Sequence, residues 1–408
     1  SILAADADSF THETVPIPPD DGPNGPCARS DRSPDHLVVG ARAQTDDHPT
    51  ARTGPVRLTE LDLGRFVAAL CVVAFHYTAI GPLTRIGSIP LGPIAAVTRY
   101  GHLGVDFFFI LSGYVIMRST DGRAASEFLR ARVIRLFPVY WFCVVVTGAI
   151  QTASGGVQPL QVLANLTMVH DLLGFEHLDG SYWSLVVEVR FYVLVALALR
   201  FGRRFRAEQL MSGWLAFGAA RIVFEVPQAL DDLLAGRYLH YFVAGAVFHR
   251  ISKDRTVSPD RLSLLTGSWV LALIQSWARA DSMVSYFGIT SSPIVTCVIV
   301  TVFFGVFAVM ARSGLPRLRL RVFARLGAAS YPLYLLHQEI GYRIFDAWTG
   351  PPALMVATVA LMMILTALLV ASRVEPAIRT RLEQHWPAWS RQASHGGNPQ
   401  LTRAHAPA

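Results

Sequence analysis

Charge is scarce in this chain. Lysine, arginine, aspartate and glutamate make up only 16% of its 408 residues, while 52% are apolar. Soluble domains carry about 25% charged residues, so this composition points to an integral membrane protein. Cysteine is also rare. The four present, Cys27, Cys71, Cys143 and Cys297, show no metal-ligand or redox spacing, and three lie in apolar stretches where a thiol serves as a small packing group. The sequence has no Walker loop, no dinucleotide fingerprint and no HExxH zinc helix. Those absences take ATP-driven transport, NAD chemistry and zinc proteolysis out of the leading readings, and no metal is expected. No signal peptide precedes the first apolar run, and the chain does not begin with Met.

Long apolar runs are what the chain has instead. A spanning helix needs about 20 residues, and candidate runs lie near 61–80, 101–118, 137–152, 182–200, 208–226, 237–250, 262–278, 290–311, 328–346 and 353–372. The expectation is an all-α, polytopic bundle of about ten transmembrane helices in the cell membrane. The net charge of +7 is explained by topology rather than by nucleic acid, and no nucleic-acid partner is expected. Arginines cluster in Arg118–Arg135, Arg200–Arg206, Arg250–Arg261, Arg312–Arg325 and Arg373–Arg381. With ten spans and both termini inside, every cluster is cytoplasmic, as the positive-inside rule requires. Pro159–Phe175 breaks that pattern if counted as a crossing. It reads as a re-entrant or surface segment on the outer side, followed or lined by His170, Asp171, Glu176, His177 and Asp179. Residues 1–55, polar and without apolar periodicity, read as a disordered cytoplasmic tail, and 376–408 as a cytoplasmic C-terminal tail.

Arg65 and His76 stand out inside the first run. Eleven steps at 100° return to within about 20° of the start, so both lie on one face, roughly 16 Å apart along the axis. Polar and ionisable residues inside a span mark a substrate path or a catalytic site by default. Counting depth along each helix puts Asp106 and Glu188 at a height similar to His76, and His337 near mid-membrane. A carboxylate beside a His can fix its tautomer and raise its basicity, as a general base needs. At the cytoplasmic side, Arg130, Arg132 and Arg135 occupy a basic helical segment running into the third span. Their forked donors suit phosphates, although taken alone ordinary topology-setting charge explains them better.

Taken together, five blocks resemble the membrane acyltransferase-3 family. They are Leu61–His76 with its Arg-x10-His spacing, Gly101–Ile116, Phe128–Trp141 with its Arg-x-Arg, Tyr182–Tyr192 with Trp-Ser-Leu-x-x-Glu, and Leu326–His337 with Ser-Tyr-x-x-Tyr-Leu-x-His. Phe66 departs from the family pattern, in which a Gly frequently follows the Arg. The resemblance implies a membrane acyltransferase domain over 56–375. The hydrolase-like extracytoplasmic domain fused to some members is not seen after the last span, which implies action alone or transfer to a separate partner.

The resemblance further implies transfer of an acyl group, commonly acetyl from acetyl-CoA, to a hydroxyl on a carbohydrate or glycosylated acceptor. Arg65, Arg130, Arg132 and Arg135 would then meet the donor. His76 would deprotonate the acceptor, or carry the acyl group itself, with Asp106 and Glu188 orienting or balancing the imidazole. Ser184, Tyr331 and His337 would line the acceptor channel. A proton-coupled transporter or flippase is the alternative from another class, since intramembrane charges suit one. The chain shows none of the internal repeats many transporters carry, and its charges gather on an early group of helices.

Overall fold

The computed structural model describes residues 59–80, 92–201, 205–313 and 321–385. The expected tails at 1–55 and beyond His385 lie outside the described residues. Among those described there is no strand, and helices follow one another with short connections. They are α1 (Thr59–Ala74), α2 (Gly92–Thr98), α3 (Gly104–Thr120), α4 (Ala125–Ala153), α5 (Pro159–Asn165), α6 (Trp183–Phe201) and α7 (Ala207–Val223). After these come α8 (Gln228–Leu233), α9 (Leu239–Asp254), α10 (Pro259–Phe287), α11 (Pro293–Ser313), α12 (Arg321–Asp346), α13 (Pro352–Leu369) and α14 (Glu375–His385).

Each expected span coincides with a long helix. Five stretches are long and apolar enough to cross a membrane: Leu61–Ile80, Pro93–Thr120, Ala125–Ala153, Pro293–Arg312 and Pro352–Gln384. The long helices α7 and α9 fall short in length, and α6, α10 and α12 in apolar content. The segment from Glu375, expected as tail, begins with α14, which packs against α4.

Two close approaches set the architecture. The α3–α9 interface is the most extensive, and it depends on small residues. A Cβ on Gly113 would stand 2.2 Å from the Phe242 carbonyl oxygen, and one on Gly245 only 1.8 Å from that of Ile110. Helices in lipid associate through such backbone contact. The second is α1 against α12, which brings the first span beside the late one. At Phe75–Ile80 the α1 helix widens into a π-helical turn, a rare feature that often marks functional sites. His76 lies in that turn.

The stretch between α4 and α6 folds back on itself. Gly156 N donates to the Gln151 carbonyl (3.0 Å), and Gln151 Nε2 donates to the Leu178 carbonyl (2.5 Å). The excursion thus leaves from and returns to the same point on α4. At its deep end Tyr140 Oη donates to the Asn165 carbonyl (2.7 Å) and Trp141 Nε1 to that of Leu166 (3.0 Å). Asn165 Oδ1 accepts from Leu178 N (3.1 Å) and Asn165 Nδ2 donates to the Glu176 carbonyl (3.0 Å), so the outgoing and returning limbs are tied directly to each other.

Candidate active site

Five helices build a cavity of about 110 Å³ whose polar lining includes Arg65 from α1, Ser112 from α3, Arg132 and Arg135 from α4, Ser184 and Glu188 from α6, and Tyr331 from α12. Six of the ten residues singled out in the sequence therefore share one space. Three guanidinium groups face a single carboxylate. Glu188 Oε1 accepts hydrogen bonds from Ser112 Oγ (2.7 Å) and Tyr192 Oη (2.6 Å), and Arg65 has Asp62 at 3.6 Å. The Arg132 guanidinium lies over the rings of Phe128 and Tyr192, at 5.8 and 5.9 Å. Among the described residues neither Arg132 nor Arg135 has a carboxylate partner, and Arg132 Nε is buried without a hydrogen bond. Such a cavity favours an anion.

Arg130 does not line this cavity. Positions two apart on a helix differ by 200°, so Arg130 is turned away from the face that carries Arg132 and Arg135, which are only about 60° apart.

Beyond the cavity lies a pair of imidazoles. His337 is fully buried, and its Nε2 lies 2.9 Å from His76 Nδ1. His337 Nδ1 is 2.8 Å from the carbonyl oxygen of Tyr334. The backbone is tied reciprocally. Tyr77 Oη donates to the His337 carbonyl (2.7 Å) and Tyr342 Oη to the His76 carbonyl (3.4 Å). Tyr334 joins the two regions, since its side chain lines the cavity and its hydroxyl lies 2.8 Å from Ser184 Oγ.

The expected grouping of His76 with Asp106 and Glu188 is not what the structure holds. Asp106 is fully buried and both its oxygens accept from Arg279 Nη1 at 2.9 Å, with Tyr241 Oη donating at 3.0 Å. It faces α10 and not α1. Depth along a helix fixes height but not direction around the axis, and direction separates Asp106 from His76. Glu188 faces the arginine cavity, where its hydrogen bonds go to Ser112 and Tyr192 rather than to either imidazole. His337, expected in an acceptor channel, is the group that touches His76, while Ser184 and Tyr331 line the arginine cavity. Arg190 pairs with Asp171 of the segment between α4 and α6. Sequence reasoning missed Tyr334, Ser112, Tyr192 and Arg279. Tyr334 was the most findable, three residues from both Tyr331 and His337 and so on their helix face.

A helical membrane protein with an anion-binding cavity next to a buried histidine pair is arranged as a group-transfer enzyme would be. The family model for the acyltransferase domain, type 3, matches residues 58–371, and the chain belongs to this acyltransferase family. It is similar to the acyltransferase MdmB of Streptomyces mycarofaciens, with 25% identity over 393 residues covering 86% of this chain and 99% of that protein. It also resembles the exopolysaccharide production protein ExoZ of Rhizobium meliloti (strain 1021), with 29% identity over 264 residues, 58% of this chain and 75% of that one. Nodulation protein 10 of Rhizobium leguminosarum bv. viciae is 25% identical over 314 residues, 68% of this chain and 82% of its own. No solved structure matches the chain.

Proposed function

We propose that this membrane acyltransferase moves an acyl group, acetyl in the simplest case, from acyl-CoA to a hydroxyl of a carbohydrate, cell-envelope glycan or glycosylated metabolite, with His76 as general base. The observation that carries the reading is the cavity in which Arg65, Arg132 and Arg135 outnumber Glu188, one tyrosine away from the imidazole pair. CoA is polyanionic, so its phosphates would meet Arg132 and Arg135 at the cytoplasmic end, with Arg65 next along the path. The thioester would then point past Ser184, Tyr331 and Tyr334 toward His76. The acceptor hydroxyl gives its proton to His76 as its oxygen bonds to the acyl carbon. The carbon–sulfur bond breaks, and the thiolate takes the proton back from the imidazolium. Glu188 keeps Ser112 and Tyr192 in place at the cavity wall and offsets part of the arginine charge.

The names of the relatives support the acceptor class. MdmB is an acyltransferase and ExoZ is named for exopolysaccharide production. Ten crossings with both termini in the cytoplasm belong to the same proposal, supported by the basic clusters at one set of helix ends. Membrane lipids surround the bundle, and a separate acceptor protein remains compatible with this chemistry.

The test is thioester turnover by purified protein supplied with acetyl-CoA and a carbohydrate acceptor. Free CoA and acetylated acceptor should appear together, and His76→Ala should reduce both by about 10²–10⁴-fold. Uptake of acceptor into vesicles without CoA release would favour the transporter reading.

A further inference from the structure

We infer that His337 is the positioning residue for His76, fixing the tautomer in which Nε2 of His76 bears the lone pair that acts as base. This rests on the reading of His76 given above. A carbonyl oxygen can only accept, so His337 Nδ1, 2.8 Å from the Tyr334 oxygen, carries a hydrogen. In a neutral ring its Nε2 is then an acceptor. His76 Nδ1, 2.9 Å away, donates to it, and Nε2 of His76 is left unprotonated.

The anchor of this chain is itself held. Ser184 Oγ donates to the Ser181 carbonyl (3.1 Å), so it accepts from the Tyr334 hydroxyl at 2.8 Å. Tyr77 and Tyr342 cap the carbonyls of His337 and His76 across the α1–α12 contact. Among the described residues no carboxylate bonds to either ring, since Asp106 is committed to Arg279 and Glu188 to Ser112 and Tyr192. An imidazole thus does for His76 what a carboxylate does for the histidine of a serine-protease triad. When Nε2 takes the acceptor's proton, the Nδ1–H bond to His337 becomes charge-assisted and strengthens, so the interaction favours the charged species formed during transfer.

The test compares purified His337→Leu, His337→Gln and His76→Ala, together with the ¹⁵N spectrum of histidine-labelled protein in which His76 is assigned by its loss in His76→Gln. His337→Leu should lower kcat about 10²-fold with the KM for acyl-CoA unchanged. His337→Gln, whose side-chain oxygen can accept from Nδ1–H, should recover much of that loss. The wild-type spectrum should show His76 Nδ1 protonated and Nε2 bare, a result that does not depend on any His337 variant folding. A His337→Leu enzyme with wild-type kcat, or a wild-type His76 protonated at Nε2, overturns the inference. If His76→Ala is inactive while His337→Leu turns over normally, only the positioning role falls. If His76→Ala remains active, the base assignment itself falls.

Discussion

Arg132 and Arg135 share a helix face and a cavity, whereas Arg130, two residues from the first of them, does not. Replacing Arg132 and Arg135 together with Gln removes charge-assisted contacts worth about 1.5–3 kcal/mol each. The KM for acyl-CoA should rise at least about tenfold, with acceptor KM little changed. Arg130→Gln should leave the donor KM near wild type, and initial rates across a donor titration decide between them. Asp106 makes the opposite prediction. Asp106→Asn leaves Arg279 without its anion in the bundle and should cost on the order of 3 kcal/mol of stability, read as a fall in melting temperature in detergent. The part of Asp106→Asn that remains folded should turn over, because Asp106 does not touch His76. Arg65 and His76 were legible from spacing alone, since eleven steps bring two costly side chains to one stripe. Which groups meet them was not, because periodicity within a helix says nothing of how its neighbour is rotated. That is why His337 was placed in a channel and Asp106 against the imidazole.

Among the elements, apolar runs located each long helix to within several residues, with α10 extending nine residues past the expected 262–278, to Phe287. The basic segment before the third span is continuous with it as one 29-residue helix. The π-helical turn that carries His76 was not legible. It occurs where α1 meets Tyr342 and Phe345 of α12, contacts that no local pattern encodes. The segment between α4 and α6 breaks the charge pattern if counted as a crossing, but charge cannot separate an immersed loop from a surface one. Its geometry gives a direct check. In a cysteine-free background, cysteines introduced at Ser154 and at Glu176 should both react with an impermeant thiol reagent from the same outer face. Labelling of the two from opposite faces would mean that the segment crosses.

For the whole molecule, the cavity and the imidazole pair stand in sequence along the bundle, the arginines toward the basic helix ends and His76 eleven residues further along the stripe. Under the proposed function, a donor would arrive from the cytoplasm and an acceptor would meet it from the outer half. Sealed inside-out vesicles present the cytoplasmic face to the medium, and they test this most directly. Labelled acetyl-CoA added outside, with a membrane-impermeant carbohydrate acceptor trapped in the lumen, should give labelled acceptor inside the vesicles, and His76→Ala vesicles should give none. Transfer only when donor and acceptor are both in the external medium would place the acceptor on the cytoplasmic side and contradict the two-sided path through His76.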